Sequence, residues 1–375
     1  MAESQPASDA SGVGEAPWPV LPQPSSPPPE ESVDGGGGHR GTVARVAVLL
    51  GLLVVVTAAG IVIGRAVEPA RPHVTTTVAA PTTAPTTTAS RPPAAHKVTI
   101  AWGPLTVEPY GKLPVGPPNA AVAVVGHTLA VVGGSGTGLV LAGPLGGKVL
   151  PVARVSRPRA SAQAFALGGT LYVLGGEQGG KPSDDLLRID LATRRGRRVG
   201  TFVEPLAEAG VVTRGGTVYL VGGWTGDKYA TAILKFEPPS TVSLLARLPE
   251  GVRAPAVTRL GHTLYVAGGR TEQGLTDKVY AVDLDSGVVT ALGTLPRPLS
   301  GGVLVPSGSN LYLLGGTGAN GKPSAAVVRI DPATGRPATA GRMPTPLAGA
   351  AAVPAGTRTL VVDTRAGAIY RISSP

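Results

Sequence analysis

Cysteine is absent from the 375 residues. Its absence excludes disulfides, thiolate metal sites, cysteine nucleophiles and cysteine-borne lipid anchors together. Histidine is scarce as well. Of five, only His127 and His262 lie beyond residue 96. Each follows a turn glycine, so convergent ligation has no material, and neither a metal nor a cofactor is expected. The fingerprint GxGxxG does not occur between a strand and a helix, which leaves nucleotide binding without support. Charge is missing altogether from residues 46–64.

Glycine and proline, by contrast, number 54 and 38, about a quarter of the chain. That is the lower edge of what marks a low-complexity chain. Yet 42% of residues are hydrophobic, which is enough apolar side chain to bury a core. Residues 1–96 carry five Arg against seven acids, net −2, and residues 97–375 carry 28 basic against 16 acidic residues, net +12. Arg outnumbers Lys 25 to 8. With the plentiful Ala, Gly, Pro and Val, this reads as the codon bias of a GC-rich bacterial genome.

Three segments precede the main domain. Residues 1–42 hold Pro17, Pro19, Pro22, Pro24, Pro27 to Pro29 and Gly35 to Gly38, with no apolar periodicity. Such a stretch cannot offset its ordering entropy and is expected to be a disordered Pro/Gly-rich cytoplasmic tail. The 19 uncharged residues VAVLLGLLVVVTAAGIVIG lie between Arg45 and Arg65. They would span about 28 Å as a helix, close to the roughly 30 Å hydrocarbon core. A single transmembrane helix is therefore expected over 43–65. It reads as an uncleaved anchor, because more than forty residues precede it and the apolar run is longer than a signal peptide needs. Residues 66–96 include eight Thr and several Pro, an extended linker that lifts the C-terminal domain off the bilayer. The expected address is the cell membrane, single-pass, with the N-terminus cytoplasmic and the C-terminal domain, 97–375, outside the cell.

That domain repeats itself. A block ending in a glycine pair recurs at Gly133 and Gly134, Gly175 and Gly176, Gly222 and Gly223, Gly268 and Gly269, and Gly315 and Gly316, at spacings of 42, 47, 46 and 47. A degenerate sixth copy closes at Asp363 and Thr364. Each block opens with a small-residue strand, turns at a glycine such as Gly126, Gly215 or Gly261 that supplies a positive φ, and runs into a second strand ending at the pair. A third apolar strand ends in an acid, at Asp190, Glu237, Asp283 and Asp331, which opens a turn by bonding the backbone ahead. A fourth strand ends near Leu248-Pro249, Leu295-Pro296 or Met343-Pro344. Four short antiparallel strands per unit describe a propeller blade. The sixth unit lacks a fourth strand, and Leu113, 13 residues before Gly126, marks a spare one at the start. Pairing the two closes an all-β, six-bladed ring whose last blade combines N- and C-terminal strands.

The glycine pair after Leu-Tyr-Val, with Tyr172, Tyr219, Tyr265 and Tyr312 and the repeat length, resembles the kelch-repeat family over residues 105–375. The family's later Trp is missing from every fourth strand. What the resemblance implies is the fold, a kelch-like β-propeller. The copper-oxidase members of that family need a Tyr–Cys crosslink, which a cysteine-free chain cannot make. A Trp-Asp dipeptide repeat and a sialidase-type Asp box are both absent.

Blade geometry puts the loops between fourth and first strands, and those between second and third strands, on one face. Arg157, Arg159, Arg253, Arg270 and Arg297 fall there, with Trp224 and Tyr229 as an aromatic platform and Glu204 and Glu208 as acids. Converging guanidiniums suit carboxylates or phosphates, and aromatics suit sugars or peptides. The adjacent Asp184 and Asp185 read as a solvated loop, and no catalytic residue is assigned. The expected function is ligand or protein binding, with a protein or cell-envelope glycan, anionic ones included, as partner. A carbohydrate-acting enzyme of lyase or epimerase type is the alternative, and nucleic acid is set aside despite the net +12.

Overall fold

The computed structural model describes residues 100–102, 105–237 and 241–373. The tail, transmembrane helix and linker expected over 1–96 lie outside the described residues. Among the described residues, no helix is long and apolar enough to cross a membrane.

Six antiparallel sheets form the blades. The first consists of Ala121–Val125, Thr128–Val132, Leu139–Pro144 and Leu150–Arg154, and the second of Gln163–Leu167, Thr170–Leu174, Asp185–Asp190 and Arg195–Thr201. The third, fourth and fifth begin at Gly210–Arg214, Ala256–Leu260 and Val303–Ser307. The sixth takes Ala351–Ala355, Arg358–Asp363 and Ala368–Ser373 from the C-terminal end and Leu105–Lys112 from the N-terminal side. In that closing pair Val107 lies opposite Ile372 and Glu108 opposite Arg371, and the Arg371 Nε donates to Glu108 at 3.0 Å. A further strand the repeat did not foretell, Ile100–Trp102, pairs outside Leu105–Lys112, so the sixth blade has five strands.

Alternation along each strand feeds two interfaces at once, since successive side chains point to opposite faces of a sheet. Val131 of the first blade packs toward Leu360, Val362 and Ile369 of the sixth. Its neighbours Ala130 and Val132 pack toward Leu171, Val173 and Ile189 of the second. The same arrangement recurs around the ring, giving one buried apolar cluster per blade junction. At ~1.5–3 kcal/mol per buried large aliphatic side chain, each junction is a core of its own, and closing the ring leaves none of them half exposed.

The glycine pairs explain how neighbouring blades approach so closely. All ten glycines have positive φ, from 60° to 117°. A Cβ on the first of each pair would strike the backbone carbonyl of the loop leaving that blade, at Arg159, Leu206, Val252, Leu299 or Leu347. A Cβ on the second would strike the loop entering the same blade. Meanwhile the second glycine's N–H donates to that outgoing carbonyl at 2.7–2.9 Å in all five blades. The third-strand acids act as expected at Asp190, Asp283 and Asp331, where one carboxylate oxygen accepts backbone N–H groups two and three residues ahead. Glu237 instead pairs with Lys235 and Thr217.

Small first-strand residues suit a crowded axis on steric grounds. Here they leave it open: Ala121, Ala123, Ala164 and Ala166 line a central channel of about 780 Å³.

Two glycines with similar φ separate conformation from contact. At Gly215 (φ 58°) an added Cβ meets nothing within 4 Å, whereas at Gly222 (φ 60°) it meets Val252. In urea unfolding, Gly215→Ala is expected to lose only the left-handed penalty of roughly 1–2 kcal/mol, and Gly222→Ala roughly twice that or more. Equal losses would show that the joint does not depend on close approach.

Candidate functional site

At the mouth of the channel on the loop face, the residue two before each first strand repeats a backbone conformation. Asn119, Ser161, Glu208, Ala254, Gly301 and Gly349 all have φ between 49° and 65°. Four of these are not glycine, and such residues cost on the order of 1–3 kcal/mol unless their surroundings over-determine them. Here the surroundings do. The N–H of Ser161 donates to the Asn119 carbonyl (2.7 Å), Glu208 to Ser161 (2.9 Å), Ala254 to Glu208 (2.9 Å), Gly301 to Ala254 (3.0 Å) and Gly349 to Gly301 (2.9 Å). A backbone collar thus runs from blade to blade around the rim.

A second ring lies beside it. In blades two to five the residue after the glycine pair bridges to the incoming loop by paired backbone hydrogen bonds: Glu177 with Ala160, Trp224 with Ala207, Arg270 with Arg253, Thr317 with Ser300. Side chains from the two rings meet at blades two, three and four. The Arg253 guanidinium donates from Nε to Glu208 Oε2 (2.5 Å) and from Nη2 to Glu208 Oε1 (2.7 Å) and Glu177 Oε1 (3.2 Å). It also lies 5.1 Å from the centroid of the Trp224 ring, within cation–π range. Ser161 Oγ donates to Glu208 at 3.4 Å. Half-burial, and then the Glu208 charge, push the Glu177 carboxyl above the ordinary carboxylate range against the pull of Arg253. Hydrogen bonding to Glu208 holds the Arg253 proton more firmly than usual. Two carboxylates sharing one guanidinium and an indole make a polar rim of acceptors with one flat apolar surface.

The other expected residues divide by exposure. Arg159 is buried, 2% exposed, donating to Asp185 Oδ2 (3.1 Å) and the Gly175 carbonyl (2.9 Å). Arg198 reaches Asp185 at 2.5 Å, and the exposed Arg157 lies 3.9 Å from it. Asp185 is therefore no solvated loop residue: it is the buried anchor of three arginines. Arg270 and Arg297 are exposed. The Tyr229 N–H donates to Glu272 at 3.2 Å, and Tyr229 bridges to Trp224 through the backbone. Glu204 is half-buried, and Asp184 makes only a backbone contact to Phe202. His262 faces the opposite side of the ring with Arg214 and Asp285, at 2.6 Å from the latter. Among the described residues, no group of acids and histidines could hold a metal ion.

Sequence periodicity named Arg253, Trp224 and Tyr229, and the structure brings all three together. Periodicity alone does not single out Glu177, and it places Glu208 on this face only as one of two acids beside the arginines. The signal was there in the columns: Glu177 is the third residue counted from Gly175, as Trp224 is from Gly222 and Arg270 from Gly268.

Burial would raise the Asp185 carboxyl, but the Arg159 hydrogen bond and charge, with Arg198, outweigh it and hold it below the ordinary range. A lowered folded pKa means the stabilisation is present above the unfolded value of about 3.9 and is lost as pH falls through the folded one. Arg159→Ala is expected to cost roughly 3–5 kcal/mol at neutral pH, the usual loss when one partner of a buried pair is removed. The stability difference between wild type and Asp185→Asn should shrink below about pH 4. A pH-independent difference in urea unfolding would refute the ion-pair account.

No family model and no curated protein matches this chain. A solved structure, that of YjhT, is similar at a TM-score of 0.61 and 18% identity, over 69% of this chain and 94% of that chain. At that identity the likeness concerns the fold. Together with the observed sheets, it makes this domain an all-β, six-bladed, kelch-like propeller.

Proposed function

We propose that this domain is a glycan-binding or scaffold propeller held at the outer surface of the cell membrane, with its ligand seated on the loop-face rim. The observation that carries the reading is the cluster of Glu177, Glu208, Arg253 and Trp224, joined through Glu208 to the lining of a channel of about 780 Å³. Carboxylates and a guanidinium in fixed mutual geometry can accept from and donate to vicinal hydroxyls, and an indole face packs against the apolar side of a pyranose ring. Because Arg253 is already neutralised by carboxylates, the rim favours hydroxyl-rich ligands over strongly anionic ones. Anionic groups would be met further out, by Arg157, Arg270 and Arg297, which are exposed. Support for the membrane address is the uncharged run over 46–64 and the Thr/Pro tract after it.

A second reading has its own observation. Burial and the Glu208 charge hold Glu177 above the ordinary carboxylate range, and a carboxyl raised in this way beside a second carboxyl is suited to acid–base chemistry on a sugar. In that reading Glu208, fixed by Arg253, takes a proton from a sugar carbon, and Glu177 delivers one to the departing oxygen, as a lyase would need, or to the opposite face of that carbon, as an epimerase would need.

A glycan array probed with the full chain in detergent, followed by titration calorimetry of the best sugar, separates the two. Trp224→Ala is expected to weaken binding at least tenfold, with little change between low and high salt, since screening acts on charge pairs. Glu177→Gln should leave a binding protein's affinity within a few-fold, but abolish turnover of that sugar if the domain is an enzyme. Undiminished binding by Trp224→Ala would remove the rim as the site.

A further inference from the structure

The outer edge of the second blade has a composition that its fold does not require. Its outermost strand, Arg195–Thr201, reads RGRRVGT and is exposed at six of seven positions. It pairs on one side only, with Asp185–Asp190. Arg195 and Arg197 share a face, and Arg197 lies directly opposite Arg188, where like charges destabilise a sheet. None of the ion pairs among the described residues involves Arg188, Arg195 or Arg197. The one acid on this face, Asp190, lies opposite Arg195 and near enough to Arg188 to feel its charge, and its carboxylate accepts the Ala192 and Thr193 N–H groups; among the described residues, nothing on this face offsets Arg197.

Charge on an edge strand can merely guard it against aggregation. The other blades show that no such guard is needed here. The outermost strands of the first, third, fourth and fifth blades read LPVAR, TVSLLAR, VTALGT and PATAGRMPTPL, with at most one arginine each. The sixth blade shows what an open edge in this ring accepts: the strand Ile100–Trp102, added antiparallel outside Leu105–Lys112.

We propose that the edge strand Arg195–Thr201 is a strand-addition site for an extended acidic peptide of a partner protein. The peptide backbone takes up the free main-chain groups of the edge, as in β-augmentation. Side chains of a strand alternate, so acids two residues apart meet Arg195 and Arg197, and the second of them stands beside Arg197 on the side away from Arg188, offsetting part of their repulsion. Val199, at the bulge where the register skips between Arg198 and Gly200, is 40% exposed and gives the peptide an apolar contact. Arg198 belongs to the other face, with Asp185.

The test is fluorescence anisotropy with the full chain in detergent and three labelled octapeptides: one alternating Glu and Thr, one with the same residues in two blocks, and the alternating one N-methylated at every second amide. The alternating peptide is expected to bind at least tenfold more tightly than either of the others, and at least tenfold more weakly to Arg197→Glu. That variant faces Arg188 with an opposite charge, so its thermal midpoint should equal or exceed that of wild type. Equal affinity for the three peptides, or none for any, would overturn the proposal. So would tighter binding of inorganic polyphosphate than of the alternating peptide, which would make the edge a general polyanion surface.

Discussion

Everything at the loop face hangs on a contact between backbones. Where a glycine pair ends the second strand of a blade, the loops entering and leaving that blade pass so close that a Cβ on either glycine would collide with them. The second glycine's N–H then bonds the outgoing carbonyl, in five blades alike. Positive φ at both positions turns the chain at the point where it must touch two neighbours, a conformation that glycine adopts without the Cβ penalty. The pair is thus a joint between consecutive blades as well as a bend in a strand. The sixth blade, with Asp363 and Thr364 at this position, replaces that joint by an aspartate turn onto the Arg365 and Ala366 N–H groups.

From the joint comes the chemistry of the rim. Fixed loops allow a collar of inter-blade hydrogen bonds, which in turn holds Ser161, Glu208 and Ala254 in left-handed conformations. The collar residue of one blade then stands beside the bridge residue of another, and that is how Arg253 comes to meet both Glu208 and Glu177. The same reasoning separates structural from available charge. Arg159 is buried on Asp185 beneath the loop, whereas Arg157, Arg270 and Arg297 remain exposed. A rim of balanced charge around an open channel selects ligands by hydroxyl geometry and ring stacking more than by net charge.

Much of the fold is legible in the chain because a ring of like blades writes its period into the sequence. The glycine pairs, the turn glycines and the third-strand aspartates give strand order, and the spacing of Leu113 from Gly126 gives the closure. The added strand Ile100–Trp102 has no repeat partner and leaves no such trace. The open axis is equally silent, since small residues in first strands are compatible with a filled centre and with a channel. At the site, periodicity assigns residues to a face but not to partners. Arg253 finds its carboxylates 45 and 76 residues away, on two other blades. Asp185, beside Asp184 in a polar stretch, has the local look of a surface residue. Only the approach of Arg159, from the loop that crosses its own glycine pair, makes it a buried anchor.

If the joints and the collar carry the ring, their amides should behave as core although they sit in loops. Native-state hydrogen exchange by NMR reads this directly. The N–H groups of Gly134, Gly176, Gly223, Gly269 and Gly316, and those of Ser161, Glu208, Ala254, Gly301 and Gly349, should exchange only through global unfolding, at the free energy shown by the central strands. Exchange of these ten amides through local opening, several kcal/mol below the strands and in step with the exposed second-to-third-strand loops, would contradict the account.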